Sequence, residues 1–174
     1  MGHKTVLVAE IVNNIRRLFQ VVNEQSKKAE IETGLTGPQL WALKVISKET
    51  PIMVSDIARR MYLHPATVVG ILDRLEAQDL VTRVRSLADR RVVHLELTAK
   101  GRAIVENSPE VATGTLVAGL DKLTSNELQS ILSGMDRIVK ILGAQGIPPQ
   151  LINSPGMNTP SQPEEKTALP ERVW

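Results

Sequence analysis

The sequence of 174 residues contains no cysteine, and only four of its side chains are aromatic. The absence of cysteine excludes disulfides, thiolate metal sites, cysteine nucleophiles and thiol-based redox sensing. Two Trp, one Tyr and one Phe are too few to fill a core, so the core must be aliphatic. Leu, Ile, Val and Ala suit helical packing better than an aromatic-rich β-sandwich.

Long apolar runs and the motifs of common enzymes are also missing. No stretch approaches the 18 or more residues needed to span a bilayer, and the N-terminal apolar stretch Val6–Ala9 is too short for a secretory signal. The chain has no glycine-rich nucleotide-binding loop, no Gly-x-Ser-x-Gly and no His-Glu-x-x-His. We therefore expect a cytoplasmic protein that is not an enzyme, contacts no membrane and holds neither a metal ion nor a cofactor.

Apolar residues recur at helical spacing along most of the chain. The spacing predicts an amphipathic helix over residues 5–32 that ends at Gly34, and a second helix opened by a capping box at Thr36. Further helices are predicted over Val54–Met61 and from Pro65 to about residue 78. The first helix carries an apolar stripe that one small domain cannot bury, so it needs another long helix or a second copy of the chain.

From residue 80 onward the apolar pattern alternates with a period of two. Residues 80–85 and 91–97 are predicted to form two antiparallel strands joined by a charged loop. Thr98 can cap the helix that follows, and Pro109 is expected to kink or split that helix. A capping box at Thr124 begins a final amphipathic helix.

The composition shifts after residue 146. Six of the ten prolines fall in Pro148–Trp174, together with Ser, Asn, Gln and Glu. Such a segment cannot bury enough apolar surface to offset its ordering entropy, so we expect a flexible tail over residues 147–174.

Positive charge is concentrated in the middle of the chain. Between Ser55 and Arg102 there are nine positive and six negative residues, so this region carries +3 while the whole chain carries +2. Four of these arginines lie on the predicted hairpin, where phosphate neutralisation and entry into a minor groove both favour Arg. A solvated face would have the same composition, so charge alone does not decide between the two.

An ordered set of motifs resembles the MarR family of bacterial transcription regulators. The set comprises Leu35–Trp41, Val54–Ala58, Pro65–Val68, Leu72–Glu76, Asp89–Arg91 and Leu97–Arg102. The last two match the family's Asp-x-Arg wing signature and the leucine, threonine and glycine that follow it. The resemblance covers roughly residues 5–142.

The resemblance implies a mainly α fold with a small β-hairpin wing, in which a winged helix-turn-helix lies between long N- and C-terminal dimerisation helices. Its parts would be an N-terminal dimerisation helix at residues 5–34, a DNA-binding domain at 35–97, C-terminal dimerisation helices at 98–146 and the tail. A homodimer would bury the apolar stripes of the N- and C-terminal helices. Its two-fold symmetry would match a pseudo-palindromic operator in double-stranded DNA. The predicted dimerisation residues are Val8, Ile11, Val12, Ile15, Leu18, Phe19, Leu132, Met135, Ile138, Ile141 and Leu142.

By the same resemblance, the helix from Pro65 would be the recognition helix. Its buried side would be formed by Val68, Ile71, Leu72 and Leu75. Its DNA-binding residues would be His64, Pro65, Ala66, Thr67, Val69, Gly70 and Arg74. Arg74 would bind a phosphate, or would pair on the surface with its carboxylate neighbours. His64 would cap the helix through its ring, or would approach the DNA backbone.

Val69 and Gly70 depart from the polar or basic residues that many relatives carry at these positions. Specificity would then depend on methyl contacts and DNA shape, or it would be weak.

The wing would add Arg83, Arg85, Asp89, Arg90 and Arg91 to the DNA-binding residues. Asp89 would orient Arg91 at the minor groove. The alternative is insertion of Arg90, because adjacent side chains on a strand point to opposite faces.

Many relatives lose DNA affinity when a small aromatic or anionic effector binds between the DNA-binding lobe and the dimerisation helices. Trp41 would lie near that crevice, either lining a ligand pocket or simply packing. The resemblance thus implies a dimeric, sequence-specific regulator, by family default a repressor, that a small ligand relieves. The alternative is a winged-helix protein-interaction module with weak or no specific DNA binding, which the few polar groups on the recognition helix favour and the wing arginines oppose.

Overall fold

A computed structural model describes residues 2–86, 92–149 and 151 of the chain. Within these ranges the elements are α1 (His3–Thr33), α2 (Gly37–Lys48), α3 (Val54–Met61), α4 (Pro65–Ala77), β1 (Val81–Arg85), β2 (Val93–Leu97), α5 (Ala99–Asn107), α6 (Ala112–Leu120) and α7 (Ser125–Ile141). The expected mainly α fold with a β-hairpin wing is confirmed.

Local signals set the ends of these helices. Gly34 ends α1 in the left-handed conformation with φ of +70°. The amide of Thr36 donates to Oε1 of Gln39 at 2.9 Å, and the amide of Thr124 donates to Oε2 of Glu127 at 2.8 Å. Both predicted capping boxes are therefore confirmed, and the hydrogen bonds from Thr124 hold the pKa of the Glu127 carboxyl below its ordinary value.

The helix predicted after the hairpin is split at Pro109. It ends at Asn107 as α5, and the chain resumes a helix at Ala112 as α6. The hydroxyl of Thr98 accepts a hydrogen bond from the Gly101 amide at 3.0 Å, which confirms Thr98 as the cap of α5.

The hairpin joins the core through both of its strands. Val81 lies opposite Leu97 in an antiparallel register that runs to the pair of Arg85 and Val93. Apart from Trp41, the buried hydrophobic side chains of the core are aliphatic or Met, as the scarcity of aromatic residues predicts. Those with the least exposure are Leu35, Leu40, Leu43, Ile46, Ile57, Met61, Val68, Leu72, Leu75, Leu80 and Leu95.

The long outer helices leave their apolar stripes uncovered in the single chain. Of the eleven predicted dimerisation residues, Ile15 and Ile138 are half-buried and the other nine are between 38% and 82% exposed. We call these eleven side chains the outer apolar residues. No helix in the described ranges is long and apolar enough to cross a membrane.

The described structure reaches only the beginning of the predicted tail. Leu151 is half-buried and packs against the core. Residues 150 and 152–174, and with them most of the segment predicted to be flexible, lie outside the described residues.

Candidate nucleic-acid interface

The helix α4 has one buried face and one outward face. The buried side chains are those predicted from the spacing, Val68, Ile71, Leu72 and Leu75. The residues on the outward side are Ala66, Thr67, Val69, Gly70 and Arg74, of which Thr67 is half-buried and the others are exposed. The periodicity of the sequence therefore identified correctly which side of the helix is available to a partner.

His64 caps the N-terminus of α4 through its ring. Its Nδ1 accepts a hydrogen bond from the Ala66 amide at 3.3 Å. Pro65 occupies the first helical position, where its missing N–H would have no partner in the helix. Of the two roles considered for His64, the cap is the one that the structure contains.

The outward face of α4 is shallow and poor in polar groups. Val69 is 40% exposed, and a Cβ added at Gly70 would meet nothing within 4 Å. Such a surface allows close approach of the helix backbone and can contact the methyl group of thymine. The polar side chains it offers are Thr67 and, two turns farther along, Arg74.

Arg83 makes contacts different from those that the sequence suggested. Its Nη2 lies 2.6 Å from Oδ1 of Asp73, and its Nη1 lies 2.6 Å from Oε2 of Glu76. The hydrogen bond to Asp73 raises the pKa of the Arg83 guanidinium above its ordinary value. Arg83 therefore joins the wing to α4 through an ion-pair cluster, and its DNA contact stays a prediction.

This cluster leaves Arg74 available. Asp73 and Glu76, the carboxylates considered as surface partners of Arg74, are both bound by Arg83. In the ranges that the structure describes, neither Arg74 nor the exposed Arg85 at the end of β1 makes an ion pair.

The remaining cations of the positive region that are described have partners within the fold. Arg59 and Arg60 pair with carboxylates, while Lys100 and Arg102 donate to backbone carbonyls at 2.9 and 2.7 Å. In this part of the structure Arg74 and Arg85 are thus the cations of the region without an ion pair or a carbonyl partner, while Lys100 and Arg102 keep their charge beside neutral carbonyls. Asp89, Arg90 and Arg91 lie outside the described residues, so their wing roles stay predictions.

A cavity of about 360 Å³ lies where α2, α3 and α6 meet. Trp41 and Tyr62 line it with aromatic rings, and Lys48 lines it with an ammonium group. Trp41 is 8% exposed and also packs against Gly114, where an added Cβ would lie 3.0 Å from the indole ring. Both roles considered for Trp41, packing and lining a pocket, are thus present in the geometry.

A hydrogen bond joins two residues that line this cavity. The Tyr62 hydroxyl donates to Oδ1 of Asp121 at 2.8 Å, joining the end of α3 to the end of α6. This bond to a carboxylate raises the pKa of the Tyr62 hydroxyl. Tyr62 and Asp121 were not predicted as site residues, because a contact between residues 59 positions apart has no signature in local spacing.

The chain is similar to known transcription regulators. The model of the MarR family matches residues 35–93. The HTH-type transcriptional repressor MdtR of Bacillus subtilis (strain 168) is 31% identical over 122 residues, which are 70% of this chain and 79% of that protein.

Solved structures share the fold. The YusO protein from Bacillus subtilis is 27% identical with a TM-score of 0.51, covering 80% of this chain and 99% of that one. Streptococcus pneumoniae FabT in complex with DNA has 24% identity and a TM-score of 0.52, covering 78% of this chain and 97% of that one.

Proposed function

Because the chain belongs to the MarR family of transcription regulators and is not an enzyme, we propose that it is a dimeric repressor that binds a pseudo-palindromic operator and is relieved by a small ligand. The observation that carries this proposal is the surface around α4. This helix exposes a complete outward face, and Arg74 and Arg85 beside it have no ion-pair partner within the described ranges.

In this proposal residues 35–97 contact DNA, with α4 in the major groove. Ala66, Thr67 and Val69 contact base edges, above all thymine methyl groups, and the bare backbone at Gly70 allows the helix to approach closely. Arg74 binds a phosphate beside the groove. His64 and Pro65 lie at the helix N-terminus, where the helix dipole favours a phosphate.

The wing extends this contact to the minor groove. Arg85 stands exposed at the end of β1, and Asp89, Arg90 and Arg91 follow it in the sequence. We propose that Arg90 or Arg91 enters the minor groove, with Asp89 orienting Arg91, because a narrow minor groove concentrates negative potential.

Residues 5–34 and 98–146 form the dimerisation layer in this proposal. The support is the exposure of the outer apolar residues, since single chains rarely present so many large apolar side chains to water without a partner. A two-fold dimer would place two copies of α4 at half-sites about one helical turn of DNA apart.

The test of DNA recognition is selection of the purified protein against a random duplex pool. We expect a two-fold symmetric motif to be enriched. We expect Arg74→Ala to weaken binding to all duplexes and to lower the salt slope of log K by about one unit per protomer, or about two units for the dimer, because each protomer loses one phosphate contact. Arg91→Ala tests the wing in the same way. Arg16→Ala, which removes an exposed arginine on α1, is the matched control and should bind as the wild type does.

Other outcomes of this selection separate the alternatives. Salt-sensitive binding to every duplex without enrichment would indicate recognition of the DNA backbone alone. The absence of binding at any salt concentration would overturn the regulator function and favour the protein-interaction module.

We propose that the cavity at Trp41 is the effector site and that it takes a small anionic aromatic ligand. Its two aromatic rings and Lys48 suit such a ligand. In a Trp174→Phe background, which leaves Trp41 as the single indole, benzoate should quench the fluorescence more than neutral benzyl alcohol does. Lys48→Gln should weaken benzoate binding about two- to fivefold, as expected for a partly exposed ion pair. Equal binding of both compounds, or no effect of Lys48→Gln, would contradict this assignment.

A further inference from the structure

The ion-pair cluster of Arg83, Asp73 and Glu76 joins two elements that are each proposed to contact DNA. Arg83 belongs to β1 in the wing, and both carboxylates belong to the second half of α4. Each terminal nitrogen of the guanidinium binds a different carboxylate, and both distances are 2.6 Å. Arg83 therefore links the two elements. A lysine, whose charge is on one ammonium nitrogen, could not bind both carboxylates with this forked geometry.

The strand places Arg83 on its core-facing side, and the guanidinium meets α4 at the surface. Residues two apart on a strand share a face, and Val81 on this face is buried in the core. The cross-strand partner of Arg83 is Leu95, which is fully buried. The side chain of Arg83 is 36% exposed, although it lies in a two-stranded wing at the surface.

The cluster has a mechanical and an electrostatic consequence for the surface around it. It holds β1 at a set position relative to α4, and Arg85 follows two residues later on the same strand. It also compensates two carboxylates that flank Arg74, the residue proposed to bind a phosphate. Without Arg83 these carboxylates would repel the DNA backbone beside Arg74.

We propose that Arg83 is a positioning residue for DNA binding: it contacts no nucleotide, and it acts by locking the wing to the recognition helix through Asp73 and Glu76. This inference rests on the proposed DNA-binding function. It reassigns a residue that composition and family resemblance both place among the DNA contacts.

Two variants separate this role from a phosphate contact. Arg83→Lys keeps the positive charge, which suffices for a phosphate, but it loses the fork that holds two carboxylates. Asp73→Asn with Glu76→Gln removes the cluster while making the surface more positive, so simple electrostatics predicts tighter DNA binding. We expect each variant to bind the selected operator about fivefold more weakly, the loss typical of a good partly exposed ion-pair network, with an unchanged salt slope.

Arg16→Lys, at an exposed arginine of α1 outside the proposed DNA contacts, is the matched control and should retain wild-type affinity. Hydrogen exchange of the β1 and β2 amides in the free protein provides a readout without DNA, and both cluster variants should exchange faster there than Arg16→Lys. Thermal unfolding of every variant checks that the fold is intact.

The two failures are distinguishable. Arg83→Lys binding like the wild type, or tighter binding of the Asp73→Asn, Glu76→Gln protein, would overturn the positioning role and leave the regulator function intact. A wild-type protein that binds no duplex would overturn the regulator function, and the role of Arg83 with it.

Discussion

Replacement of Gly101 by Ala is expected to destabilise the protein by about 1–3 kcal/mol or more, the range of overpacked sites. An added Cβ at Gly101 would lie 2.1 Å from the carbonyl oxygen of Leu80 and 3.1 Å from its carbonyl carbon. Leu80 is fully buried, and its carbonyl also accepts the Thr98 amide at 3.1 Å. The Leu80 carbonyl cannot give way easily, because the buried side chain and the hydrogen bond from Thr98 hold it. A methyl group at position 101 would therefore force α5 and the start of the wing apart.

Denaturant unfolding at a set protein concentration measures this effect. Gly70→Ala is the matched control, since Gly70 also lies in a helix but has nothing within 4 Å of the added methyl group. There the change should stabilise the fold by up to about 1 kcal/mol through helix propensity. If both variants unfolded at the same denaturant concentration, the close approach of Gly101 to Leu80 would be refuted.

Replacement of Leu132 by Glu is expected to convert the protein to monomers and to lower operator affinity about a hundredfold or more, because two linked half-sites are then bound separately. Leu132 is 53% exposed in the single chain and lies on the apolar stripe of α7. In the proposed dimer a carboxylate at this position would be buried among apolar side chains, which is costly without a partner.

Sedimentation and operator titration measure the two consequences of this change. Ser130→Glu adds the same charge on the opposite side of α7, since two residues correspond to about 200° of helical rotation, and it should leave the dimer intact. A Leu132→Glu protein that remained dimeric, or a wild-type protein that was monomeric, would contradict the dimerisation layer proposed for residues 5–34 and 98–146.

The contact of Gly101 with Leu80 explains why the motif of this family has a glycine at this position. Gly101 belongs to the motif Leu97–Arg102, and the sequence alone does not show why a glycine is needed there. Leu80 lies 21 residues earlier, and only the packing of α5 against the chain before β1 brings its carbonyl within reach of Gly101. A motif can therefore identify the position of a constraint without revealing its cause.

The charge of the middle region illustrates the limit of counting residues. A count gives the nine positive residues equal weight, although those in the described part of the structure differ sharply in their surroundings. Arg83 lies 7 and 10 residues from its carboxylate partners, a short separation in sequence. The contact nevertheless depends on the direction in which β1 leaves the end of α4, and the alternation of apolar and polar residues does not specify that direction.

By itself the sequence determined the elements of this protein and their ends. The caps at Thr36, Thr98 and Thr124, the break at Pro109 and the buried side of α4 all depend on residues within one or two helical turns, so local spacing is sufficient to predict them. Only the tertiary structure decided which charges are paired, because salt bridges and close contacts depend on the positions of whole elements. That is why Arg83, and not the adjacent Arg74, pairs with Asp73 and Glu76, and why Tyr62 meets Asp121 beside the cavity at Trp41.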